Sequence, residues 1–438
     1  MIWALLLSFI AIAQALVFPV GLSRYLSSIL LVASIFFAHG KFGSLVGDDF
    51  TRLGMLAIAI PAVITLMFHK KPQRHFVLLV TILTLSGYLV AASRNLATLA
   101  ISLEAMSLTA AAVAFYPGAK EKIKVVVTYL IFSVFAAAML FLGLAFYFAG
   151  SHTTDLVHFT QTSTAIVGIV LMLASIMVKL AISPMHTWAV DVYSESSTSA
   201  SIYLSSAVKV GAMLALAILS VGPLRLAYSV SYWQILIPAL LLAALSNIVG
   251  AAGMVTTNKM KRMLSFSSIA HAGFVALALA YPGQLSAAVI AYYALVYSIA
   301  NTIAFSSVLL VKGEGESEIM DLKVLYKRPL TALAVAIAAL SLLGIPPTAG
   351  FSAKLMALIN LFNAKSLPPA LLIGVAVVSL VFTAASGYGY IKIVAAVTKK
   401  PEKDQVISLP SLEMLLWVLA AMLIILYFYP LWPVPTLG

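Results

Sequence analysis

The chain has 438 residues and no cysteine. Disulfides, thiolate metal sites and cysteine nucleophiles are excluded on that ground alone. Charge is scarce too: 9% of residues are charged, against about 25% in an average soluble domain. The longest charged connection, residues 312–328, is too short to form a soluble catalytic domain, so any soluble chemistry belongs to another chain. Metal-ligand spacings, a glycine-rich phosphate loop, a nucleophile elbow and a haem-attachment motif are all missing. The first apolar run has no basic residues before it, which argues for a membrane span over a cleaved leader.

What the chain has is apolar surface. At 63% hydrophobic, it carries more than a water-soluble fold can hide, and lipid is the solvent that accepts it. Apolar stretches of about 20 residues lie near 2–20, 23–39, 52–68, 76–93, 97–116, 123–150, 163–188, 198–220, 232–254, 262–281, 285–311, 329–355, 369–396 and 410–434. They predict an all-α polytopic membrane protein of about fourteen transmembrane helices.

The formal charge of +12 sits in the short connections, where it reads as membrane orientation and not as nucleic-acid binding. Connections after odd-numbered spans hold 17 lysines and arginines, among them Lys70, Arg74, Lys124, Lys259, Lys261, Arg262, Lys312 and Arg328; connections after even-numbered spans hold five. The asymmetry predicts cytoplasmic odd connections in a prokaryotic inner membrane, with both termini on the outer, periplasmic side.

Four basic residues, Lys179, Lys209, Lys354 and Lys392, fall inside spans. A charged lysine at mid-bilayer costs roughly 2.5–3.5 kcal/mol, and such residues face a bundle interior or a water-filled path. Lys179, Lys209 and Lys354 are expected deep in their helices, whereas Lys392, near the end of its span, reads as a snorkelling or structurally paired residue. Glu104 is the one carboxylate well inside a span, since Glu413 lies near the start of the last. Three lysines cannot all be neutralised by one glutamate, and an unpaired buried lysine is suited to carry protons. An ion pair at about 4 Å with an effective dielectric near 20 is worth roughly 4 kcal/mol, enough for Glu104 to load or unload a lysine by moving.

Two spans look broken beside a lysine. Pro184 follows Lys179, and Gly344, Pro346, Pro347 and Gly350 precede Lys354; these residues free carbonyls at membrane depth. Interruptions at corresponding places in two halves point to a transporter built from repeats. Simple helix kinks are the alternative. The five-span separation suggests two five-helix repeats, residues 76–220 and 221–400, each with a broken helix. They follow a three-helix segment, 1–75, and precede a final helix, 401–438. His186 lies seven residues after Lys179 and would share its face if the kink is mild. His271 follows Ser265, Ser267 and Ser268 on a helix that could hold water, and is a relay or a packing residue. His39, His69, His75, His152 and His158 sit near span ends and receive no role.

A set of stretches resembles the antiporter-like membrane subunits of respiratory complex I and its relatives. They are Asn95–Leu96 with Leu103–Leu108, Lys179–Trp188 followed by Asp191–Tyr193, Lys209, Lys261–Leu264 with Ser267–Gly273, and Ser341–Pro347 with Gly350, Phe351 and Lys354. The likeness spans the fourth to the thirteenth helix. Within the family the chain looks most like the N-type subunits, given Asp191-Val192-Tyr193, a lysine at 354 where M-type subunits have glutamate, and no long C-terminal helical arm. The resemblance implies Glu104 as modulating carboxylate, Lys179 as its paired lysine, and Lys209 and His271 as connecting groups. Lys354 would be the proton donor toward the outside, with His186 assisting entry from the cytoplasm. It also implies that this chain binds no cofactor, and that NADH, FMN, iron–sulfur clusters and quinone belong to partner subunits. Those partners are other antiporter-like and small membrane-arm subunits, with lipid and protons as the remaining contacts and no nucleic acid. Three departures stand out: Val190 and the Ser194-Glu195-Ser196-Ser197-Thr198 run, where the family has proline and Gly-Ala-Pro, and Phe266, where it has tyrosine. Other functions stay open: a subunit of a sodium/proton antiporter without redox chemistry or of a membrane-bound hydrogenase complex, and a non-conducting structural subunit.

Overall fold

In lipid no water is available to backbone N–H and C=O groups, so an apolar run can cross only as a helix that satisfies them internally. The computed structural model describes the chain apart from residues 71, 117–122, 157–159, 161, 229–231, 402–406, 408 and 430–438. The early elements are α1 Ile2–Val17, α2 Val20–Phe36, the hairpin β1 Gly40–Phe42 with β2 Leu45–Gly47, α3 Asp49–Phe68, α4 Arg74–Ala92, α5 Leu96–Phe115 and α6 Ile123–Ser151. Next come α7 Ser163–Lys179, α8 Thr187–Glu195, α9 Thr198–Tyr203, α10 Lys209–Val221, α11 Pro223–Ala227, α12 Tyr232–Thr256 and α13 Met260–Leu277. The last are α14 Gln284–Lys312, α15 Pro329–Leu343, α16 Ala349–Phe362, α17 Pro369–Val397 and α18 Pro410–Phe428. The two antiparallel strands pair Lys41 with Val46.

Ten of the described helices are long and apolar enough to cross a membrane, with α9 and α10 continuous through a π turn. The shorter α1 and α2 and the two split pairs α7/α8 and α15/α16 account for the other expected spans. The all-α polytopic expectation is met. The final span ends at Phe428, and the remainder of its expected range to 434 falls almost wholly on residues outside those described.

The alternation of connections read from charge appears as contacts. On one face, the end of α3 meets the loop after α14 through His69 and Glu314. That loop also meets the start of α13, where Met260 N donates to the Ser317 carbonyl and Lys261 N to Glu316. On the other face, Arg94 before α5 donates to Asp48 before α3, and Asn95 to Thr154 after α6. Tyr228 after α10 pairs with Ser366 after α16. Odd connections therefore touch odd ones and even touch even.

Small residues let the helix backbones approach closely. A Cβ at Gly168 on α7 would lie 2.5 Å from the Tyr147 backbone nitrogen on α6, and one at Gly250 on α12 would lie 2.7 Å from the Ala270 nitrogen on α13.

The loop after α14 also fastens the start of α9. Ser199 donates to Glu314 through its backbone N–H at 2.9 Å and its hydroxyl at 2.6 Å, and His69 Nδ1 lies 2.9 Å from the same carboxylate. His69, given no role by the sequence, is 5% exposed and stacks on Phe76. Burial alone would push the Glu314 carboxyl up, but the His69 contact and the Ser199 donors hold it down at about 2. The depressed value means that this stabilisation is complete above the unfolded carboxylate range and fades as pH falls from about 4.5 through about 2. Glu314→Gln is expected to cost on the order of 3 kcal/mol at pH 7. Thermal melts of the assembled complex check this, and the gap between variant and parent should narrow below pH 4.5.

Candidate functional site

Proline has no amide proton and restricts the residue before it, so it kinks or breaks a helix; Pro61 and Pro238 stay inside α3 and α12, whereas the helix before Pro184 breaks. Lys179 is the last residue of α7, Ala181 adopts a left-handed φ of 57°, and the helix resumes at Thr187. The freed Ser183 N–H donates 2.8 Å to Ser246 Oγ of α12. Lys179 Nζ lies 3.3 Å from Glu104 Oε2 and donates 2.5 Å to Ser107 Oγ. Glu104 and Ser107 are three residues apart on α5 and share a face. The expected pairing is present, but Lys179 stands at a helix end and not deep within a continuous helix.

The break also corrects the placement of His186. Residues 180–186 leave the helix altogether, so helical periodicity does not carry from Lys179 to His186, which caps α8 half-exposed.

A cavity of about 20 Å³ opens beside Lys179, lined among others by Leu103, Met106, Val208 and Ala212. It is roughly large enough for one water. Val208 is the last residue of the π turn Leu204–Val208, and Lys209 opens α10 directly after it. Such turns leave backbone groups to be satisfied from elsewhere. Here Tyr297 of α14 donates to the Ser205 carbonyl, and Asn301 Nδ2 to the hydroxyls of Ser205 and Ser206. Lys209 is 1% exposed, and its Nζ donates 2.6 Å to the Ser268 carbonyl and 3.0 Å to Ser268 Oγ.

One turn beyond Ser268 on α13 is His271. Its Nδ1 lies 2.7 Å from the Tyr293 hydroxyl of α14, and its Nε2 3.3 Å from the Tyr390 hydroxyl of α17. Tyr390 is in turn 2.5 Å from Ser267 Oγ. Both imidazole nitrogens therefore face a group that can donate or accept. A cavity of about 10 Å³ joins His271, Tyr293 and Tyr297 to Ser341, Leu342 and Gly350 at the second break.

That break runs from Gly344, a left-handed cap with φ 88°, to Ala349. A Cβ on Gly344 would lie 2.9 Å from Lys354 Cδ, and one on Gly350 would collide with the Ser341 carbonyl, so glycine is needed at both. α15 ends with unpaired carbonyls, and Lys354 Nζ satisfies those of Leu342 and Leu343, each at 2.8 Å. The ammonium also stands 5.3 Å from the Phe274 ring centroid, within cation–π range.

Glu104, Lys179, Lys209, His271 and Lys354 thus lie in order along one buried row, and Glu104–Lys179 is its one ion pair among the described residues. Lys392 stays apart, half-exposed, donating to Asn258 and lying over Tyr388. Ser107, Ser268, Tyr293 and Tyr390 complete the row. Sequence reading passed over the tyrosines because nothing distinguishes them among 18 tyrosines in apolar runs.

Known proteins resemble this chain in sequence and fold. A family model described as NADH:quinone oxidoreductase/Mrp antiporter, transmembrane, matches residues 93–383. The NADH-quinone oxidoreductase subunit 14 of Thermus thermophilus is 32% identical over 88% of this chain and 86% of its own length. A chain of the solved respiratory complex I from Thermus thermophilus with bound aureothin superposes with a TM-score of 0.85 at 28% identity, covering 98% of this chain and 96% of that one. The archaeal membrane-bound sulfane sulfur reductase complex holds a chain of the same fold, with a TM-score of 0.80 at 20% identity over 98% of this chain and 93% of that one.

Proposed function

The chain belongs to the NADH:quinone oxidoreductase/Mrp antiporter transmembrane family, and from that premise we propose that it is a proton-translocating membrane-arm subunit of a complex I-like NADH:quinone oxidoreductase. The observation that carries the reading is the buried row of three lysines with one carboxylate at its end. A permanently charged row would be costly to bury, whereas groups that exchange protons in turn are not all charged together. Redox energy released in partner subunits shifts the Glu104–Lys179 pair, and a proton passes by Lys209 and His271 to Lys354 and outward. Lysine, imidazole, phenol and water are the groups such transfer needs.

Other parts of the chain support the assembly. Glu104 keeps 15% of its side chain exposed on α5, next to Ile101 and Leu108, which are 63% and 54% exposed. A carboxylate does not face lipid at that depth, so a neighbouring membrane subunit covers this face. NADH, FMN, iron–sulfur clusters and quinone belong to such partners. The excess of basic residues in odd connections supports a cytoplasmic placement for them, with both termini on the periplasmic side of the inner membrane. Broken spans five apart cross in opposite directions, which supports inverted units at 76–220 and 221–400, flanked by 1–75 and 401–438.

Sealed vesicles carrying the complex test the reading. NADH-driven quinone reduction should acidify the compartment on the periplasmic side, and the rate should not depend on sodium. Sodium-dependent proton exchange with no quinone reduction would replace it with an antiporter.

A further inference from the structure

The π turn Leu204–Val208 stands directly before Lys209 and is the one π turn among the described residues. Such a turn bonds i to i+5, so it takes up one residue more than a turn of α-helix. Nothing in its own sequence enforces it, since Leu204-Ser205-Ser206-Ala207-Val208 has neither proline nor glycine. Successive α-helical residues rotate by about 100°, so relaxing the π turn with every residue kept would swing Lys209 by about 100° relative to α9. The loop-side end of α9 is fixed: Ser199 bonds Glu314, and Thr65 Oγ1 of α3 donates 3.2 Å to the Ser199 carbonyl. The π turn therefore decides whether Lys209 Nζ meets Ser268 of α13.

A stripe of α14 grips the turn from outside. Tyr297 and Asn301, four residues apart, share one face of that helix. The Tyr297 hydroxyl donates 3.0 Å to the Ser205 carbonyl, and Asn301 Nδ2 lies 2.9 Å from both Ser205 Oγ and Ser206 Oγ. The two N–H groups of one amide thus hold two adjacent hydroxyls. Ser205, Ser206 and Asn301 are 0% exposed, so bulk water does not take the place of the amide. We propose that Asn301 is a positioning residue: its amide locks the extra residue into the π turn and so aims Lys209 at Ser268. The inference rests on the proton-translocating reading above. It gives Asn301 no proton to carry, because an amide side chain does not titrate. What Asn301 controls is orientation, and a lysine turned away from its partner by one helical residue leaves the buried row interrupted at its middle.

A deletion separates positioning from mere stabilisation. Asn301→Leu keeps the shape of the side chain but removes both N–H groups, and in the assembled complex it is expected to slow proton pumping by about tenfold or more. Deleting Ala207 from that variant takes out the surplus residue, so a continuous α-helix then carries Lys209 in its original orientation. Pumping is expected to return to within about twofold of the parent, a coupling that independent sites would not show. A purely structural Asn301 predicts the reverse, since a deletion in a packed helix adds damage. Ser205→Ala together with Ser206→Ala withdraws both acceptors of the amide and repeats the test should Asn301→Leu fail to assemble, with the same fall and the same rescue expected. Pumping at the parent rate in Asn301→Leu or in the serine pair, or no rescue by the deletion, would overturn the assignment. A failure of the broader reading shows separately, as parent vesicles that reduce quinone without moving protons.

Discussion

Lys354→Met is expected to lower proton pumping by about a hundredfold, the usual scale for losing a positioned proton-transfer group. It also strips the donor from the Leu342 and Leu343 carbonyls at the end of α15. Leaving a buried acceptor unsatisfied costs about 1–3 kcal/mol, so some loss of thermal stability accompanies the lost pumping. Lys354→Arg separates the two effects. A guanidinium still donates to both carbonyls and keeps the charge, but it does not give up its proton in a protein. Stability should recover in Lys354→Arg and pumping should not. If arginine restores pumping, Lys354 is a structural cap on a broken helix and nothing more. Thermal melts and vesicle acidification, recorded on both variants, decide between these.

Glu104→Gln is expected to slow pumping by about tenfold or more, with quinone reduction falling in step. The amide keeps the shape of the side chain and an acceptor oxygen but withdraws the negative charge 3.3 Å from Lys179 Nζ, which also donates to Ser107 Oγ. The attraction removed is roughly 4 kcal/mol at an effective dielectric near 20, several times the energy needed to shift a proton equilibrium tenfold. Glu104→Asp keeps the charge on a side chain one methylene shorter and should recover much of the rate. Recovery by Gln instead of Asp would mean that the site needs a hydrogen-bond acceptor and not a charge.

The spans were legible because lipid permits one solution for an apolar run, and both broken helices announced themselves through proline and glycine. The lysines were legible as residues out of place. Their settings were not. Of the three lysines expected deep in helices, Lys209 lies at the middle of the continuous span 198–221, whereas Lys179 ends α7 and Lys354 lies near the start of α16. Lys354 meets the carbonyls freed at the second break, whereas Lys179 finds its partners on α5 and Lys209 on α13. The π turn has no proline or glycine to mark it. Tyr293 and Tyr390 reach His271 from helices 22 and 119 residues away, contacts that no local pattern encodes. The shared face of Lys179 and His186 was conditional on a mild kink, and that condition fails because α7 stops at Lys179 and the helix resumes only at Thr187.

The two breaks stand on opposite-running spans, each beside a lysine, with His271 between Lys209 and Lys354.

The most direct test of the row records proton pumping and quinone reduction side by side, in the same vesicles, for Lys179→Ala and Lys354→Met in the fully assembled complex. The row predicts that both activities collapse together while assembly holds. Near-parent rates of both in either variant would contradict it and leave the chain a structural member of the membrane arm.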